Sequence, residues 1–227
     1  MRIDIWSDVV CPWCWIGKRR LQAGIALLGA EAPDIEIHWH PFLLDPEADA
    51  TPVPLRDALA AKFGGAARVA QMLAQTQATA RAEGMPFDFD RGQVRVTTLP
   101  AHRLLGLAAR DGDVDAVGEA LFHAHFAEGR NLADIEVLVD AGVAGGLDAD
   151  QVRRFLASDA GASEVQARIA QAQALGIRAV PTFVIDGRLA VQGAQPAEAI
   201  ADALRQAMRS ATSVAPSAPA CGPTGCD

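Results

Sequence analysis

The chain has 227 residues, half of them hydrophobic and about a fifth charged, with a net charge of −8 and four cysteines. That length holds one large domain, or a small one carrying an insertion, and buries a core without disulfide staples. The acidic balance repels phosphate backbones and argues against a nucleic-acid partner, and four cysteines are too few for a disulfide scaffold.

The first residues lack the basic start, apolar run and small-residue cleavage site of a secretory leader. No run of about 18 apolar residues occurs, so a cytoplasmic chain with no membrane partner is expected. From Arg2 to Ser7 the pattern alternates, with Ile3 and Ile5 set against Arg2, Asp4 and Trp6, and predicts a short strand. Ser7-Asp8 offers cap chemistry for a helix beginning near Cys11, and Pro12 falls in its first turn, where a missing N–H is harmless. Ile16, Leu21, Ile25 and Leu28 carry the helical apolar spacing, and Lys18-Arg19-Arg20 reads as a solvated face of that helix. The segment 34–44 opens in strict alternation and predicts a second strand that Pro41 ends. A helix between two strands favours parallel pairing. His38 and His40 share one face of this strand and read as satisfied or exposed side chains rather than a metal pair. Trp6, Trp15 and Trp39 read as core.

Between about Thr51 and Gly176 alanine-rich helical spacing dominates. It predicts helices over 54–63, 66–83, 98–110, 114–128, 134–141, 148–158 and 162–175, an all-helical block with almost no strand signal. His123 and His125 stand two apart on one helix and face different ways. His102, near a helix start, reads as structural, with a place beside an active site as the alternative. Strand signals return at Thr182-Phe183-Val184-Ile185. Asp186-Gly187 is a hairpin turn and 188–192 its return strand. A last helix is expected through about Arg209, then a tail rich in Ser, Ala, Pro and Gly without regular structure. The order is β-α-β, a helical block, then β-β-α: one α/β unit whose small mixed sheet is completed by both ends of the chain, with the helical block inserted in the crossover.

Cys11-Pro12-Trp13-Cys14 carries the chemistry. A two-residue spacer brings two sulfurs within disulfide reach across one helical turn. Unpaired N–H groups and the macrodipole at a helix start stabilise an anion there, so the thiolate of Cys11 is favoured and its pKa is expected to fall. Cys11 is then the nucleophile, and Cys14, one turn deeper, resolves the mixed disulfide. Half of a zinc site, or a pair of structural thiols, are the other readings of C-x-x-C. Val180-Pro181-Thr182 is the second element. A proline leading a β-rich run fits a turn entering the strand, and a cis bond there is one solution.

A first strand, C-P-W-C, a helical insertion and V-P-T-F ahead of a hairpin resemble the DsbA-like branch of the thioredoxin superfamily, and more closely its FrnE-type oxidoreductases. Glu128-Gly129-Arg130-Asn131-Leu132, followed by Asp134 and Val137-Leu138, resembles a helical segment of that group. The resemblance covers 2–209. It implies a thioredoxin-like domain over 1–50 plus 177–210, an inserted helical domain over 51–176 and a flexible tail over 211–227. It further implies Cys11 and Cys14 as the redox pair, and Pro12 and Trp13 as the dipeptide that tunes it. Pro181 takes the place of a cis-proline, and Val180, with Thr182 beside it, that of the backbone receiving an extended substrate chain. No cofactor is implied. Thiol and disulfide substrates, proteins foremost, are the expected partners, and glutathione is a candidate redox partner.

Cys221-Gly222-Pro223-Thr224-Gly225-Cys226 closes the chain with a turn sequence that lets two sulfurs meet. It reads as an accessory redox pair on a tether, or as a tail without a role. Two other functions stay open. Glutathione-dependent isomerases and transferases of the 2-hydroxychromene-2-carboxylate isomerase and kappa-class type resemble this layout, but typically have Ser where Cys11 stands. A zinc-holding binding module is the third.

Overall fold

The computed structural model describes residues 1–212. Strand β1 (Arg2–Ser7) lies at the middle of a four-stranded sheet of order β2-β1-β5-β6. It pairs parallel with β2 (Glu36–Pro41), Ile3 facing Ile37 and Ser7 facing Pro41, and antiparallel with β5 (Thr182–Ile185), Trp6 facing Thr182. Helix α1 (Pro12–Ala26) makes the crossover between β1 and β2. The alternation of β1 holds for its apolar residues, yet Ile3 to Ser7 are all buried, because helices cover both faces of a central strand. A hairpin joins β5 to β6 (Leu189–Gln192). Asp186 and Gly187 both take positive φ, at 48° and 65°, and Arg188 N–H donates to the Ile185 carbonyl. Only residues tolerant of the left-handed region fit two such positions in succession. Helix α9 (Ala197–Thr212) packs beside α1. It runs past its expected end at Arg209, and the rest of the tail, with Cys221 and Cys226, lies outside the described residues.

Between β2 and β5 come α2 (Leu55–Phe63), α3 (Ala66–Ala82), α4 (Leu99–Asp111), α5 (Val114–Phe126), α6 (Ile135–Ala144), α7 (Ala149–Leu156) and α8 (Ala162–Ala174). Three of these starts are fixed by acidic caps. The side chain of Asp113 accepts from the N–H groups of Asp115 and Ala116, that of Asp134 from Glu136, and that of Asp148 from Gln151. Each such cap is worth about 1 kcal/mol. The block is not wholly helical. β3 (Val53–Pro54) and β4 (Val94–Arg95) form a two-residue antiparallel ladder, too short to leave a period in the sequence. The loop before β4 buries Met85, Phe87 and Phe89.

The basic run on α1 is a solvated face only at Arg19. Lys18 is 3% exposed, and its Nζ meets Glu119 at 2.7 Å and Asp115 at 3.0 Å on α5. Arg19 also pairs with Glu119, and Arg20 bonds Glu83 and the Ala194 carbonyl. The run clamps α1 to the insertion. Burial pushes the Glu119 carboxyl up, but hydrogen bonds from Lys18 and Trp15, with the charges of Lys18 and Arg19, outweigh it and hold the group below the usual carboxylate range.

Candidate active site

Cys11 is the N-cap of α1. Its backbone stays extended (φ −90°, ψ 112°), and no side chain caps the helix. The expectation of Ser7-Asp8 as the cap therefore fails in its detail. Asp8 contributes its carbonyl, which accepts from Cys11 N–H at 3.0 Å. Its carboxylate, 1% exposed, accepts instead from Leu44 N–H at 2.8 Å and lies 3.3 Å from His102 Nε2. That contact ties the loop before Cys11 to the loop after β2 and to α4, so His102 braces the site from behind. Pro12 occupies the first helical turn, and Cys14 N–H closes it on the Cys11 carbonyl at 3.0 Å.

Both Cys11 and Cys14 are free thiols and buried, at 3% and 2% exposure. Trp13 between them is 39% exposed and borders solvent. Cys11 Sγ lies 3.8 Å from the carbonyl oxygen of Val180, and the Val180–Pro181 bond is cis. Pro181 rests directly on α1. A Cβ added at Gly17 would stand 2.9 Å from Pro181 Cγ and 3.2 Å from Phe183 Cζ, so glycine permits the approach of the hairpin to the redox helix. Thr182 is buried, and its hydroxyl donates to the Ala179 carbonyl at 2.7 Å. It shapes the turn, and the Val180 carbonyl lies beside the Cys11 sulfur.

Cys14 sits in a buried, mainly apolar setting. Burial pushes its thiol well above the ordinary range, the adjoining Cys11 adds to this, and hydrogen bonds from Ser7 and from the Asp8 backbone oppose it. The surround is aromatic. Trp15 stacks on Phe87, Phe122 and Phe126 with ring centres 5.1, 6.0 and 6.0 Å away, and Phe87 stacks on Phe126 at 4.7 Å. The insertion thus supplies most of the wall behind the redox pair. Sequence reasoning took Ser7-Asp8 only as a helix cap and missed the phenylalanine wall; no local period marks contacts made across about a hundred residues.

The remaining histidines are accounted for. His40 Nε2 lies 2.6 Å from Asp4 and its ring stacks on Trp6, while His38 meets Glu36 at 2.9 Å. His123 is exposed, and His125 is buried with neither ring nitrogen bonded. Trp6 and Trp15 are buried and Trp39 partly so.

The chain as a whole is similar to known proteins. A family model described as the DSBA-like thioredoxin domain matches residues 2–205. The chain is similar to a probable DsbA oxidoreductase from Streptomyces coelicolor, SCO1869, with 37% identity, a TM-score of 0.87, and coverage of 100% of this chain and 98% of that one. It is 26% identical to the uncharacterised protein YwbO of Bacillus subtilis over 86% of this chain and 90% of that one. The fold is shared with the cytosolic disulfide reductase DsbM of Pseudomonas aeruginosa, at 22% identity, a TM-score of 0.59, and coverage of 92% and 99%.

Proposed function

The chain belongs to the DSBA-like thioredoxin domain family, and from that premise we propose that it exchanges thiols and disulfides through Cys11 and Cys14. The observation that carries the reading is the position of Cys11 Sγ at the start of α1, 3.8 Å from the carbonyl that precedes cis Pro181, with buried Cys14 one turn behind. In the reducing direction the Cys11 thiolate attacks one sulfur of a substrate disulfide. A Cys11–substrate bond forms and the first substrate thiolate leaves and takes up a proton. Cys14 then loses its proton and attacks Cys11 Sγ, which releases the second thiolate. Two electrons pass to the substrate and the enzyme is left with a Cys11–Cys14 disulfide, which an external thiol must reduce. The oxidising direction is the reverse.

Burial keeps Cys14 protonated until the mixed disulfide brings an electrophilic sulfur to it. Pro12 and the exposed Trp13 tune the pair and border the substrate, and the Val180 backbone receives an extended chain beside it, with Pro181 and Thr182 shaping that edge. On this reading residues 1–50 and 177–210 carry the chemistry and 51–176 enclose it. Proteins with accessible disulfides are the substrate class. Glutathione is a fitting external thiol, in line with the glutathione-bound form known for DsbM, which shares the fold. Cys221 and Cys226 are read as a second pair that exchanges with the first. No helix among the described residues is long and apolar enough to cross a membrane.

Insulin reduction tests the assignment. Cys11→Ser is expected to lower the rate by about a hundredfold or more, as loss of a covalent nucleophile does. Turnover that survives Cys11→Ser would refute it, and turnover that survives Cys14→Ser would favour the isomerase type.

A further inference from the structure

On the far side of Phe122 from the redox pair, a cavity of about 770 Å³ opens between β2, α4, α5 and α8. Its volume lies in the range of small-molecule sites. It includes neither cysteine, and Val180 and Pro181 lie outside it as well.

Two features mark the cavity as built. The first is missing side chains. Gly106 lies within α4 and Gly118 within α5, and glycine inside a helix costs about 1 kcal/mol relative to alanine. Elsewhere the fold demands such residues: a Cβ at Gly17, Gly24 or Gly142 would meet a neighbour at 2.8 to 2.9 Å. At Gly106 a Cβ would meet nothing within 4 Å, and at Gly118 only Leu105 at 3.8 Å. Both glycines line the cavity. Packing does not require them, and their effect is to leave the space open.

The second is charge. Arg103 is 8% exposed and lines the cavity. Its hydrogen bonds run to the backbone carbonyls of Phe155, Ser158 and Ala160, and to no carboxylate among the described residues. Carbonyls offset part of a cation, but a buried full charge without a counter-ion is unfavourable. On the rim Arg110 and Arg168 share one carboxylate, Glu164, at 3.6 and 2.9 Å. Lys18 is balanced by Asp115 and Glu119 and Arg2 by Asp4, whereas the rim residue Glu36 has only His38 beside it, at 2.9 Å. Arg103, Arg110 and Arg168 thus stand against Glu164 and Glu36, an excess of one positive charge within a protein whose net charge is −8. Trp39, Leu105, Val165 and Phe122 supply apolar walls, and at the inner end lies Ser7, whose buried hydroxyl meets no oxygen or nitrogen partner.

We propose that this cavity binds a small organic acid, with its apolar body against Trp39, Leu105 and Phe122 and its carboxylate answering the excess charge of Arg103 and the Arg110–Arg168 pair. The proposal does not depend on the thiol chemistry, although the cavity shares Ser7 and His102 with the surround of the redox pair. Ser7, which also faces Cys14, is where occupancy would be felt at the redox pair.

Calorimetry on the full chain with naphthylacetate, naphthylacetamide and acetate tests this. The acid is expected to bind saturably and to raise the Tm. The neutral amide is expected to bind at least about tenfold more weakly, since it forgoes the charge-assisted contact, and acetate not measurably. Gly106→Leu, which fills the space, is expected to weaken the acid at least about tenfold while unfolding cooperatively. Should that variant not fold, Arg168→Gln at the exposed rim is expected to weaken the acid and leave the amide unchanged. Equal affinity for acid and amide, no saturable binding of the acid, or unchanged acid binding in the variants would overturn the proposal.

Discussion

On one side of Phe122 lie Trp15, Phe87 and Phe126, stacked ring on ring in the buried cluster that also holds Cys14. On the other side lies the open space flanked by Gly106 and Gly118. Both regions form where the helical insertion meets the thioredoxin-like part, and α5 contributes to both. The filled region excludes water and keeps a thiol protonated; the open one keeps a buried guanidinium in reach of a small molecule. The contrast teaches that side-chain volume along one helix decides whether an interface becomes a wall or a chamber.

The largest break in this contrast is Phe126→Ala. Phe126 is 1% exposed, and removing a buried phenylalanine ring costs about 3–5 kcal/mol. Denaturant unfolding should show that loss, and Cys14 should become open to alkylating reagents.

Next comes His125, which lies beside Phe126 with its ring edge-on at 4.7 Å. Burial lowers its pKa from 6.5 to about 4, against a smaller opposing pull from Asp8. The unfolded chain therefore binds the proton first as pH falls. The stabilising effect of the neutral ring is complete above pH 6.5 and is lost between 6.5 and about 4. The loss amounts to roughly 2–4 kcal/mol. Urea titrations across that window should show the slope in the native chain and its disappearance in His125→Leu.

Two glycines sharpen the contrast further. Gly17→Ala forces a methyl against Pro181 and is expected to destabilise by about 1–3 kcal/mol. Gly106→Ala meets nothing and is expected to stabilise by about 0.5–1 kcal/mol through helix propensity alone. Opposite signs in thermal unfolding would confirm which glycine serves packing and which serves the chamber.

What the sequence made legible was local. C-P-W-C and the Asp-Gly turn each mark their local structure within four residues, and the starts of α5, α6 and α7 were read to within a residue, though the capping by Asp113, Asp134 and Asp148 was not. The parallel β1–β2 pairing followed from the crossover helix. The burial of Lys18 was not legible, because its partners lie about a hundred residues away on α5. Asp8 looked like a helix cap because its type and place suit one, yet its carboxylate turns towards Leu44 and His102. The phenylalanine wall and the chamber arise only when α4, α5 and the loop before β4 converge.

The central claim is that Cys11 attacks and Cys14 resolves. Intact-mass analysis of Cys14→Ser after incubation with a disulfide-bonded protein tests it most directly. The account predicts a stable mixed disulfide that peptide mapping assigns to Cys11. No adduct, or an adduct on another cysteine, would contradict it.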